Sequence, residues 1–165
     1  MANRVLVSVE DGMSEPAWLS KAESFLLKAL ESAGYDGEEL SVMFCSDSCI
    51  RKLNREYRNI DEETDVLSFE DGSRYTDENG LEWTAAGDIA VSLETLPKNA
   101  AYFEVSEDEE LKRLLIHGML HLNGLDHGDE HVIRGKEPVC PMLRKQKELL
   151  EALRQETILT EACKG

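Results

Sequence analysis

"SEDEELKRLLIHGMLHLNGLDH", residues 106–127, is the stretch around which the chain organises. Ser106 followed by Glu109 is a capping-box pattern, and the acids crowding the first turn suit the positive end of a helix dipole. From Leu114 to Leu122 the segment is apolar nearly all round, apart from its histidines, which predicts a helix buried in a core. Gly124 suits its stop. Three of the chain's 4 histidines fall here: His117, His121 and His127. Residues four apart stack on one helix face, one turn apart, so His117 and His121 can reach one ion. A left-handed turn at Gly124 brings the chain back, so His127 can add a third nitrogen. A lone buried histidine is most often a hydrogen-bonded core residue. Three in this arrangement point to a metal, because uncompensated imidazoles on a dry helix cost about 1–3 kcal/mol each. Imidazoles suit zinc, with nickel or another divalent transition metal as alternatives, better than the oxygen-seeking magnesium or calcium. Three protein ligands leave a position open for water, as catalytic zinc sites do. His131 fits no ligand spacing and reads as a solvated surface residue.

The spacing H-x-x-x-H-x-x-G-x-x-H also resembles zincin-type metalloproteases of the metzincin kind. Those carry Glu directly after the first His as general base. Here that position is Gly118. The geometry is shared, but a peptidase mechanism lacks its base.

Outward from this helix, strands and helices alternate. "VLVSV" (5–9) reads as a first strand, and Ser14 and Pro16 suit the start of a helix. Trp18, Ala22, Phe25, Leu26, Ala29 and Leu30 recur at helical spacing, with Gly34 as the stop. "LSVMFC" (40–45) is a second strand, completing a βαβ-like start. Ser46 or Asp47 can cap a helix over about 48–58, with Ile50, Leu53 and Tyr57 on one face and Arg51, Arg55 and Arg58 on another. "DVLSFE" (65–70) is a third strand, and the nearly continuous apolar run "GDIAVSL" (87–93) a central one. The polar, Gly-bearing stretch between them is a long loop or ragged hairpin. A short helix near 93–103 follows, and a last amphipathic helix starts near Pro141 with Met142, Leu149, Leu150 and Leu153. The expected fold is α+β: one layered domain, residues 1–165, with a mixed, roughly four-stranded sheet packed with helices.

The chain has 165 residues, 41% hydrophobic and 32% charged, enough for one domain with a real core. The N-terminus lacks the apolar run of a signal peptide, and no stretch is long enough for a membrane span. The expected location is therefore the cytoplasm, with no membrane partner. Cys45, Cys49, Cys140 and Cys163 show no close-paired spacing and read as reduced thiols. The net charge of −16 argues against nonspecific nucleic-acid binding, which needs Lys and Arg at phosphates. Any such role must rest on a local basic patch or on a partner protein.

"LNREYRNIDEETDVLSF" (53–69) joins the basic helix face to a strand. Arg58, at the helix end, reads as a phosphate clamp, since its planar fork suits a phosphodiester and stays charged. Equally, it reads as a surface arginine paired with one of the many acids, worth at most about 1 kcal/mol. Asp65 and Asp88 are either hydrogen-bond partners behind metal-bound histidines or caps of a turn and a strand end. Arg51 and Arg55 are candidate substrate contacts, and the groove near the three arginines is expected to be locally positive.

Together, "HGMLHLNGLDH" (117–127), "LNREYRNIDEETDVLSF" and "GDI" (87–89) resemble, in block order and over nearly the whole chain, the YbeY family of bacterial metal-dependent endoribonucleases, also called rRNA maturation factors. The resemblance implies a single-strand-specific RNA endonuclease acting in maturation of the 3′ end of small-subunit ribosomal RNA and in ribosome quality control, with ribosomal partners. It assigns His117, His121 and His127 to one zinc per chain and Arg58 to the catalytic cleft. The chain departs from the family pattern at Leu125, where tyrosine is frequent, at Glu70, where proline is common, and at Ala86, where a larger apolar residue often stands. None of these removes a ligand.

Two routes to phosphodiester cleavage stay open: attack by water that the ion makes more acidic, or attack by the RNA's own 2′-hydroxyl. In either, Arg58 would neutralise charge growing at the phosphorus centre. Two other readings compete. One is a different zinc hydrolase, a peptidase or amidase with its base elsewhere. The other is a metal-stabilised ribosome assembly factor without catalysis.

Overall fold

The computed structural model describes residues 2–127 and 137–159. Its strands are β1 (Arg4–Val9), β2 (Glu38–Cys45), β3 (Val66–Thr76) and β4 (Glu82–Ser92), and its helices are α1 (Leu19–Ser32), α2 (Asp47–Arg58), α3 (Leu96–Phe103), α4 (Glu107–Leu122) and α5 (Pro141–Ala152). The strands form one mixed sheet in the order β1-β2-β4-β3. β1, β2 and β4 run parallel, and β3 lies antiparallel on the outer edge of β4. β4 is thus a central strand, as its apolar run predicts, and Ile89, Ala90, Val91 and Ser92 are all buried. The α+β class and the mixed four-stranded sheet are as expected from the sequence.

The period-two alternation of the strands sorts the helices onto two faces. Val5, Leu40, Val42, Phe44, Ile89 and Val91 join Phe25, Leu26 and Leu30 of α1, Leu114, Leu115 and Met119 of α4 and Met142 and Leu149 of α5 in the main core. The opposite face receives α2, where Ile50 packs with Cys45 and Ala90, flanked by Met43, Leu53 and Leu67. α4 is the keystone: Leu111, Leu114, Leu115, Ile116, Met119 and Leu120 are completely buried. Ser106 accepts from the backbone N–H of Glu109 at 3.1 Å, the cap that its sequence predicts.

Three expectations need correction. α1 begins at Leu19, not near Ser14 or Pro16, and no side chain caps it. Residues before it instead bury Trp18, whose ring meets Phe44 edge-on at 4.9 Å. The third strand does not stop at Glu70 but runs on to Thr76, and of the two readings of the connection after it the ragged hairpin is the one observed, with an irregularity between Glu70 and Ser73. Finally, Tyr57 does not share the buried face of α2: it is 66% exposed, its ring meeting Phe69 of β3 edge-on. His131 and Cys163 lie outside the described residues. Cys45 and Cys49 are free thiols, and among the described residues no helix is long and apolar enough to cross a membrane.

Candidate metal centre

α4 carries His117 and His121 one turn apart, with ring centroids 4.7 Å from each other. It ends in a Schellman motif: the N–H of Gly124 donates to the His121 carbonyl at 3.0 Å and the N–H of Leu125 to the Leu120 carbonyl at 3.1 Å. Gly124 takes φ +83°, which a side chain would strain. This turn reverses the chain and carries His127 to within 5.3 Å of the His117 ring and 5.7 Å of the His121 ring. One nitrogen from each of the three lies within 4.8 Å of the others, a group able to hold a metal ion.

The donor chemistry fits a transition metal. Burial, reinforced by the neighbouring charges of His121, Arg113 and His127, drives the His117 pKa down to about 4, against the pull of Gln146. Burial and His127 lower that of His121 too. At neutral pH both rings therefore offer lone pairs. Behind His117 stands Gln146 of α5, 2% exposed, with its Oε1 2.9 Å from Nδ1. A carbonyl oxygen only accepts, so this contact keeps the proton on Nδ1 and leaves Nε2 bare for a metal. The sequence reading missed Gln146. Its signal was a polar residue on the stripe that Met142, Leu143 and Leu149 otherwise fill.

Gly118 is glycine for a packing reason. A Cβ there would sit 3.0 Å from Cδ1 and Cγ2 of Ile89, where α4 presses on β4. A glutamate of the H-E-x-x-H pattern would start with its Cβ pressed on Ile89, so α4 or the Ile89 side chain would have to give by a few tenths of an ångström.

Two of the three histidines open onto a cleft of about 430 Å³ lined by Arg58, Asp65, Val66, Leu67, Ser68, Glu70, His117 and His121. Arg58, from the C-terminal turn of α2, reaches over the β3 edge and donates through Nη2 to the Ser68 carbonyl. Arg51 and Arg55 are not among these lining residues. Arg51 makes a two-pronged pair with Asp61, at 2.9 and 3.3 Å, on the exposed surface. Asp65 reaches no histidine hydrogen bond. It accepts from the Val66 N–H at 2.7 Å and from Asn99 at 2.8 Å, and faces Arg113 at 3.7 Å. Arg113 in turn grips Glu110 with two bonds of 2.7 Å, so this network ties the head of β3 to α3 and α4. Asp88 is exposed and accepts from the Ser41 hydroxyl. Two carboxylates, Asp126 and then Glu70, lie close enough to the histidine cluster to raise the His121 pKa against burial.

The family model described as Endoribonuclease YbeY matches residues 8–154. A protein named Endoribonuclease YbeY from Treponema denticola is 44% identical over 153 residues, spanning 91% of this chain and 93% of that one. One of the same name from Aquifex aeolicus is 38% identical, spanning 76% and 78%. The solution structure of TM1509 from Thermotoga maritima superposes with a TM-score of 0.59 at 27% identity, covering 92% of this chain and 90% of that chain.

Proposed function

The chain belongs to the endoribonuclease YbeY family, and from that premise we propose that it is a metal-dependent endoribonuclease of ribosomal RNA processing. Its substrate is single-stranded RNA, its task the maturation of the small-subunit rRNA 3′ end and ribosome quality control, and its setting the cytoplasm in contact with the ribosome. One domain spanning residues 1–165 does this with one zinc, or another divalent transition metal, on His117, His121 and His127. The observation that carries the reading is a cluster of three ring nitrogens, two of whose histidines line one cleft together with Arg58.

When bound, the ion supplies Lewis acidity toward a phosphoryl oxygen and makes a coordinated water more acidic. The other roles belong to side chains. Gln146 orients His117. Arg58, steadied by the Ser68 carbonyl, places its fork against the scissile phosphate and offsets charge gathering on the equatorial oxygens. Glu70, at the cleft, is the carboxylate we assign to take a proton from the attacking oxygen. Arg51 and Arg55, on the same helix, guide the strand toward the cleft without closing on a phosphate, Arg51 staying paired with Asp61.

The second reading, hydrolysis of a peptide or amide bond, draws on the same Glu70, a carboxylate at the cleft away from Gly118. Incubating metal-loaded protein with single-stranded RNA and with a casein substrate separates the two. RNA cleavage by the parent, lost in His121→Ala and Arg58→Ala, is the expected result. Cleavage surviving both substitutions would trace to a contaminating nuclease and end the proposal.

A further inference from the structure

Tyr57 is a large aromatic held in water. It is 66% exposed at the end of α2, yet its ring is not loose: it meets Phe69 of β3 edge-on, with centroids 5.4 Å apart. The Arg58 guanidinium lies 5.5 Å from the same Phe69 ring. Phe69 stands on the edge strand between Ser68 and Glu70, both of which line the cleft. Successive side chains of a strand point to opposite faces, so the Phe69 ring stands on the α2 side of β3 with Tyr57, across the edge from the cleft, and Arg58, which lines the cleft, also reaches that ring.

A second aromatic pair serves as a comparison. Tyr102 and Phe103 of α3 meet edge-on at 5.1 Å, with Arg113 5.2 Å from the Phe103 ring. There the cation is spent, held by Glu110 in two 2.7 Å bonds. At Phe69 the cation is exposed, and only one of its five N–H donors is needed for the Ser68 carbonyl.

We propose that Tyr57, backed by Phe69, is a stacking platform for an unpaired nucleobase next to the phosphate that Arg58 holds. This rests on the endoribonuclease reading and deepens it. Stacking needs a π-face and no net charge, so it suits a chain of net charge −16 whose cleft also carries Asp65 and Glu70. It also discriminates: a base inside a duplex has both faces covered and cannot reach the tyrosine, so the platform selects single strands.

The test uses single-stranded RNA carrying 2-aminopurine at successive positions, with cleavage suppressed by a chelator. The parent protein is expected to change the probe's fluorescence at one position. Tyr57→Ala should abolish that change and weaken binding about 5-fold or more, as loss of one stacked base does. Tyr57→Phe should keep both, and Tyr102→Ala, on the comparison pair, should match the parent. If the parent binds the RNA and Tyr57→Ala binds it equally well with the same fluorescence change, the platform is refuted while the nuclease reading stands. If the parent neither binds nor cuts single-stranded RNA, both fall.

Discussion

Gln146 touches no substrate, yet it decides what His117 can offer. With Oε1 2.9 Å from Nδ1, it fixes which nitrogen is left to face an ion. Gln146→Leu should lower metal affinity about 10- to 100-fold, read by competition with a chromogenic chelator. It should also destabilise the metal-free protein by about 1–3 kcal/mol, because a buried N–H loses its acceptor. Unchanged metal affinity would reduce the contact to ordinary core packing. The three histidines were legible in the sequence because all sit on one helix and its exit turn, where spacing translates directly into proximity. Gln146 was not, because it approaches from another helix 29 residues away. Asp47 gives a second test at this scale. Burial opposes its ionisation, but hydroxyls of Ser92 at 2.6 Å and Thr95 at 2.5 Å, with Lys98 at 3.6 Å, outweigh it and lower the pKa. A depressed folded value means stability that is present above the ordinary carboxylate pKa and lost as pH falls through the lowered one. The melting-temperature gap between the parent and Asp47→Asn should therefore be widest near pH 7 and close below about pH 4. A gap independent of pH would show that the aspartate acts through shape alone.

At the scale of elements, two glycines set how closely the layers approach. Gly87 takes φ +143°, and a Cβ there would stand 2.1 Å from the Phe69 carbonyl oxygen. Gly87→Ala must part β4 from β3, the strand whose residues line the cleft. A loss of about 2 kcal/mol or more is expected in urea unfolding, with RNA cleavage falling alongside. Gly118→Glu would restore the metalloprotease pattern by letter. It forces a carboxylate against Ile89 in the dry core and should cost about 3 kcal/mol or more, giving an unfolded or insoluble protein rather than a peptidase. A folded, stable Gly118→Glu would show that α4 can lift from the sheet. The same contacts explain what periodicity revealed. α4, β2 and β4 were readable because each is buried on a defined set of positions. The outer half of the β3–β4 hairpin was not: residues 70–76 are all exposed, so no apolar alternation marks them. The start of α1 was misplaced because burial of Trp18 overrode the local signals of Ser14 and Pro16.

For the whole molecule, charge and substrate pull apart. A body of net charge −16 repels RNA at long range, and the expected positive groove is smaller than the arginine spacing implies. Charge patterning revealed three arginines on one helix but not their partners, since Asp61 folds back from the loop after α2 to claim Arg51. Arg58 is the arginine that lines the cleft. Affinity for free RNA should thus release few counterions. For single strands each neutralised phosphate contributes about −0.7 to the slope of log K against log salt, so a slope of about −0.7 to −1.4 is expected, one or two phosphates. Arg58→Ala should flatten it by about 0.7, whereas Arg51→Ala should change it little. A titration from low to moderate salt with a labelled single strand measures all three. A slope beyond about −3 would require a basic surface elsewhere and would reverse the assignment of Arg58 as the principal phosphate contact. Weak electrostatic capture has a consequence for specificity. A nuclease that cannot gather RNA by charge cuts where something else presents the strand, and the ribosome, with which we place it, is a surface that would do so.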